Sequence, residues 1–195
     1  MEKMIIQEPC CIEQILPRTL KWDENTFWQT NGDVTFGLVM KAVRYLACNE
    51  INVKVVTPVF SLRMARFMAW YWRREWLKGF SLLTKEAVGS DVWAELREMG
   101  DVVGDVVTHK NVKEGMIIIK GEKATVIVIG DLLSEVDAGL RNYITYVGNS
   151  SAKIKEMTSV AEAMMKAAIR KRKKEEEKKE DNHETGLIAS VINTD

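Results

Sequence analysis

Apolar positions along the chain change period several times, and each change marks an element. From Asp33, "DVTFGLVMKAVRYLACNE" places Phe36, Val39, Met40, Val43, Leu46 and Ala47 at helical spacing, which predicts a helix to about Cys48 capped by Asp33. Upstream, "NTFWQT" suits a short strand. "INVKVVTPVF" clusters Val53, Val55, Val56 and Val59 with a proline near its end, which predicts a strand. "SLRMARFMAWYWRREWLKG" has no internal Gly or Pro and reads as a helix from Ser61 to Gly79. "FSLLTK" predicts the next strand, "SDVWAELREMG" a helix capped by Ser90 and ended by Gly100, and "DVVGDVVTH" a strand containing a glycine. Two apolar runs, "MIII" and "TVIVI", flank the tight connection "KGEKA". Runs without polar interruption suit strands buried on both faces, so this hairpin is expected in the middle of the sheet. "GLRNYITYVG" adds a strand before a long C-terminal helix, whose Val160, Met164, Ala167 and Ala168 form an apolar stripe expected to dock on the sheet.

Alternating helices and strands in the first half imply parallel pairing, and the short hairpin connection imposes antiparallel pairing in the second. The predicted fold is α/β: a mixed parallel/antiparallel central sheet flanked by helices on both faces, with a long C-terminal helix. The organisation is an N-terminal segment 1–24, an α/β domain 25–155, a charged helix 156–181 and a flexible tail 182–195.

The hairpin and its surroundings resemble the phospholipase D-like superfamily, in which a strand carrying His-x-Lys-x4-Asp precedes a glycine, a turn, a second apolar strand and Gly-Ser-x-Asn. "KEGMIIIKG" and "KATVIVIGDLL" have similar strand lengths, with Gly121 and Gly130 at matching places, and the likeness covers roughly residues 25–155. At the motif positions the chain departs from the family. Lys113 stands in place of the His, Gly115 of the Lys, Lys120 of the Asp, Asp131 of the Ser and Leu133 of the Asn. Phosphodiester exchange through a covalent intermediate needs an imidazole nucleophile, a cation for the pentavalent phosphate and a proton donor for the leaving oxygen. These departures imply a catalytically inactive domain; together with the arginine strip of residues 63–74, they make the leading expectation one that binds nucleic acid or another phosphate-bearing partner. Because active relatives combine two half-sites, the resemblance also implies a homodimer. His109, in "HK" before the same strand, is the weak catalytic candidate, for an active phosphodiesterase in a shifted register; a turn histidine is the plainer reading. His183 lies in the charged tail.

Composition narrows the classes of function. Of 195 residues, 46% are hydrophobic, enough for one sizeable core. Lys plus Arg and Asp plus Glu both number 28, so electrostatic binding must come from a local patch. Cys10, Cys11 and Cys48 lack zinc-ligand spacing and leave one thiol unpaired, which favours a reducing compartment. Residues 1–15 resemble neither a secretory signal nor a membrane span, and a cytoplasmic protein without a membrane partner is expected. Phosphate-loop, dinucleotide and His-Glu-x-x-His motifs do not occur, Glu135 and Asp137 read as solvated acids, and neither cofactor nor metal is assigned.

One local patch stands out. At about 100° per residue, Arg63, Arg66, Trp70, Arg73 and Arg74 share about a third of a helix circumference, opposite a largely apolar remainder. Guanidinium forks bridge phosphate oxygens and an exposed indole stacks on bases, so these five are the candidate nucleic-acid or phosphate-binding residues. The competing reading pairs the arginines with acids elsewhere and leaves a structural or protein-interaction module. In the terminal "RKRKKEEEKKED", Lys171 with Glu175, Arg172 with Glu176 and Glu175 with Lys179 have the spacing that supports an exposed helix by about 0.2–0.5 kcal/mol per pair. "GLIASVI" is either a small docking peptide or part of the tail.

Overall fold

A computed structural model of the chain describes residues 26–29, 34–35, 50–122, 125–132, 139–148 and 152–192, with side chains described at 50–122, 125–130, 152 and 154–179. Eight strands and three α-helices are present among these residues. They are β1 (Thr26–Gln29), β2 (Val34–Thr35), β3 (Ile51–Thr57), α1 (Leu62–Trp72), β4 (Leu77–Thr84), α2 (Ser90–Glu98), β5 (Val103–Thr108), β6 (Gly115–Lys120), β7 (Thr125–Leu132), β8 (Gly139–Gly148) and α3 (Ala152–Ile192). A single 3-10 turn, Gly100–Val102, joins α2 to β5.

All strands belong to one sheet, in the order β1-β8-β7-β6-β3-β4-β5, with β2 also paired to β8. β3, β4 and β5 run parallel, linked through α1 and α2. The remaining ladders, β3 with β6 and then β6, β7, β8 and β1 in turn, are antiparallel. The sheet is thus mixed as expected, and β6 and β7 lie inside it with neighbours on both edges.

Alternation along the strands divides the core between two faces. Val53, Val55, Phe80, Leu82, Ile117, Ile119, Val126 and Val128 pack beneath α1 and α2. Their neighbours Val56, Leu83, Val107, Ile118 and Ile127 point the other way, beneath α3. Burial on both faces explains the uninterrupted apolar runs of the hairpin. On α3 the docked side chains are Ile154, Ala161, Met165 and Ala168, at intervals of seven, four and three residues. Ala161 and Ala168 let the helix axis approach the strands. The expected stripe is therefore correct at Met164, which packs half-buried on this cluster, and at Ala168, but not at Val160, which is 45% exposed, or Ala167, which also faces outward.

Three boundaries differ from expectation. Val34–Thr35 is not the first turn of a helix but a strand paired with Leu140 and Gly139; the rest of that predicted helix lies outside the described residues. α1 stops at Trp72, and Gly79 sits inside β4. The stop is made by Glu75 at φ 60°, whose amide donates to the Trp72 carbonyl at 2.7 Å while the Trp76 amide donates to the Tyr71 carbonyl at 3.2 Å. That is the helix-ending arrangement usually built on glycine. Ser90 is the first residue of α2, with Gly89 as its cap. The Asp91 carboxylate accepts from the Val92 amide at 2.9 Å, and a β-carbon at position 89 would lie 2.8 Å from that carboxylate. Gly100, at φ 55°, follows the end of α2 as expected. No helix among the described residues is long and apolar enough to cross a membrane.

Candidate nucleic-acid interface

The candidate strip is set by how α1 starts, packs and stops. The Ser61 hydroxyl accepts from the Met64 amide at 3.3 Å, which satisfies one of the free donors of the first turn. Met64, Ala65, Met68, Ala69 and Tyr71 are buried against the sheet and α2. This burial turns the opposite face outward, and Arg63, Arg66, Trp70, Arg73 and Arg74 are all exposed. The structure therefore brings the five residues onto one surface, with Arg73 and Arg74 in the closing turn instead of the helix interior.

α2 supplies the counter-charges. Arg66 Nε lies 3.1 Å from Glu95 Oε1, and an Arg73 terminal nitrogen lies 2.7 Å from Glu98 Oε2. The arginine side chains remain 65% and 52% exposed in these pairs. Exposed pairs contribute only about 0–1 kcal/mol each, so they hold the guanidinium groups extended without sequestering them. Among the described residues no carboxylate lies within ion-pair distance of Arg63. Glu95 and Glu98, spaced to fall on one side of α2, are the residues that sequence reasoning missed; their spacing was visible, but the neighbouring helix was not.

Arg74 is held differently. Its guanidinium carbon lies 3.6 Å from the Trp70 ring centroid, and one terminal nitrogen donates to the Trp70 carbonyl at 3.3 Å. Trp76 meets Trp70 edge-on at 5.6 Å and Tyr71 at 5.9 Å between ring centroids. A half-exposed indole with an arginine over its face, buttressed edge-on by two further rings, makes a cationic aromatic platform. Such a surface accepts a base or sugar by stacking and a phosphate by charge.

The hairpin positions are dispersed. Lys113 is exposed in the loop before β6, Gly115 is the buried first residue of β6, and Lys120 is exposed at its other end. His109 directly follows β5 in a turn. Its amide donates to the Thr84 carbonyl at 2.8 Å, its carbonyl accepts from Val112 at 3.1 Å, and its Nδ1 accepts from the Asn111 amide at 3.2 Å. One ring nitrogen is thus engaged in shaping the turn. Beside the C-terminal ends of β3 and β4 lies a depression of about 210 Å³ whose charged lining residues are Lys85 and Glu86. Among the described residues no group of three or more His, Cys, Asp or Glu side chains is placed to hold a metal. Glu135, Asp137 and Leu133 lie outside the described residues, as do the side chains of Asp131 and His183.

No family model matches the sequence, and comparison with curated proteins gives no match. Among solved structures, a similar chain is that of TrmBL2, described as an archaeal chromatin protein with a novel mode of DNA binding. The identity is 12% and the TM-score 0.45, over 80% of this chain and 58% of that one. The chain thus spans 58% of the length of that protein. The architecture itself is of the α/β class, with a mixed sheet and a long C-terminal helix.

Proposed function

We propose that this is a catalytically silent, phospholipase D-like domain that binds nucleic acid through the exposed strip of α1. The observation that carries the reading is the convergence of Arg63, Arg66, Arg73 and the Arg74–Trp70 stack on one solvent-facing surface. Glu95 and Glu98 pre-extend two of the guanidinium groups through weak surface pairs, each a single nitrogen–oxygen contact, and a phosphate diester oxygen can take the place of the carboxylate oxygen. Stacking on the Arg74–Trp70 platform tolerates any base, so binding is expected to favour single strands and to show little sequence preference. The silent chemistry rests on the hairpin, where Lys113, Gly115 and Lys120 take the places of the motif residues in the resembling family.

Fluorescence anisotropy with labelled single-stranded and duplex oligonucleotides tests the reading. Saturable binding is expected, weakened about tenfold or more in Trp70→Ala/Arg74→Ala. Absence of saturable binding by the folded protein, or equal affinity in that variant, contradicts it.

A second role has its own observation. The described side chains of α3 from Arg170 to Lys179 are all exposed, beyond the last residue of the helix packed in the core. That length of charged helix can join a partner helix, as an interaction module would. Association with a protein under conditions where oligonucleotides show no saturable binding would favour that role.

A further inference from the structure

A second polar site lies on the opposite face of the sheet from the α1 strip. The half of this face nearer the C-terminal ends of β3 and β4 is apolar, where Val56, Leu83 and Val107 meet α3. Nearer the N-terminal ends of the same strands, the inward alternation continues but the residues change to Asn52 and Lys54 on β3 and Gly79 and Ser81 on β4. They line an open depression of about 290 Å³, completed by Lys120 from β6 and by Thr158 and Glu162 from the flank of α3.

Two glycines keep its floor low. A β-carbon on Gly79 would lie 2.5 Å from Asn52 Oδ1, so the Asn52 carboxamide occupies the space a side chain there would need. A β-carbon on Gly104, at the irregular end of β5, would lie 3.4 Å from Ser81 Oγ. Above this floor the polar groups are largely uncommitted. Among the described residues the side chains of Asn52, Ser81, Lys120 and Thr158 make no hydrogen bond or ion pair. Lys54, only 26% exposed, reaches Glu162 at 3.7 Å, beyond hydrogen-bond distance, and Lys78 turns to Glu50 at 3.3 Å. A half-enclosed sheet face lined with unspent donors has the chemistry of a small-molecule site more than of a packing surface. Apolar residues at these positions would simply have extended the core.

We infer that this depression binds a small phosphorylated polyol. Lys54, Lys120, Asn52 and Ser81 supply donors to a phosphate from three adjacent strands. Glu162 and Asp101, at the rim, supply acceptors that a bare phosphate would avoid and that hydroxyl groups would satisfy. With Lys78 turned to Glu50, Lys54 and Lys120 stand against Glu162 and Asp101, and a site so nearly balanced favours an anion of low charge over a polyanion. The site is independent of nucleic-acid binding by α1.

The test is a titration of the full chain with glycerol 3-phosphate, followed by amide chemical shifts in nuclear magnetic resonance. Saturable shifts are expected at Asn52, Gly79, Ser81 and Gly104, with tighter binding than for inorganic phosphate and none for glycerol. Lys54→Gln/Lys120→Gln should weaken binding by about tenfold or more with the spectrum of a folded protein retained. Lys85→Gln, whose charge lies in the depression at the other ends of the strands, should leave it unchanged. Failure to saturate, equal affinity for inorganic phosphate, or equal affinity in a folded Lys54→Gln/Lys120→Gln protein would each overturn the proposal.

Discussion

The Trp76 amide donates to the Tyr71 carbonyl across the end of α1, at 3.2 Å, and the two rings meet at 5.9 Å between centroids. This closure turns the chain out of the helix just after Arg73 and Arg74, so it also fixes where the cationic strip ends. Its cost falls on Glu75, a side-chain-bearing residue held at φ 60°. Glycine adopts that conformation without the clash between the β-carbon and the carbonyl. Glu75→Gly is therefore expected to stabilise the protein by about 1 kcal/mol, read as a higher denaturation midpoint at unchanged slope. A destabilised variant would mean that the Glu75 side chain makes a contribution larger than its backbone strain.

The seating of α3 makes a contrasting pair of expectations. Ala161 and Ala168 are 1% and 3% exposed against the sheet, whereas Val160 is 45% exposed. Ala161→Leu or Ala168→Leu forces added methylenes into the helix–sheet contact and is expected to cost about 1–3 kcal/mol. Val160→Ala should change stability by no more than about 0.5 kcal/mol. Thermal or chemical denaturation of Ala161→Leu and Val160→Ala distinguishes this seating from the one in which Val160 is docked and its truncation is the costly change.

Gly79 and Asn52 should be coupled. In an Asn52→Ala background, Gly79→Ala removes backbone freedom from the unfolded chain without a clash and should stabilise by about 0.5–1 kcal/mol. With Asn52 present, the new β-carbon must push the carboxamide from its position 2.5 Å away, and most of that gain should vanish. A double-mutant cycle on denaturation free energies should return a coupling of about 0.5 kcal/mol or more. Additivity would show that the carboxamide does not rest over Gly79.

From Ile51 onward the element types and the central place of the hairpin were legible because they depend on local patterns, whereas Val34–Thr35, read as a helix start, is a strand. Val126, Ile127 and Val128 are buried on alternating faces, and a run with no polar interruption has few other uses. The end of α1 was not legible. "WYWRREWLKG" contains a glycine four residues beyond the actual turn, and a glutamate took the left-handed position where glycine is favoured. On α3 the stripe held at Met164 and Ala168 but was misplaced at Val160, because Val160 and Ala161 are both apolar and nothing local selects the smaller one. The five strip residues were read from periodicity alone, since one helix face is a local property. Their partners Glu95 and Glu98 required knowing that α2 lies alongside α1. The depression had a faint signal, the alternation of Asn52 and Lys54 with Val53 and Val55. It took the pairing of β3 with β4 and β6 to gather those residues with Ser81 and Lys120.

The role assigned to α1 is tested most directly by the salt dependence of single-stranded oligonucleotide binding, compared between the wild type and Arg66→Ala/Arg73→Ala. If the strip contacts three or four phosphates, log Kobs should fall against log[salt] with a slope of about −2 to −3. The variant should bind more weakly, with a slope shallower by about 1.4, because two phosphate contacts are lost. Parallel lines with the same slope would place the polyanion elsewhere on the molecule and contradict the account.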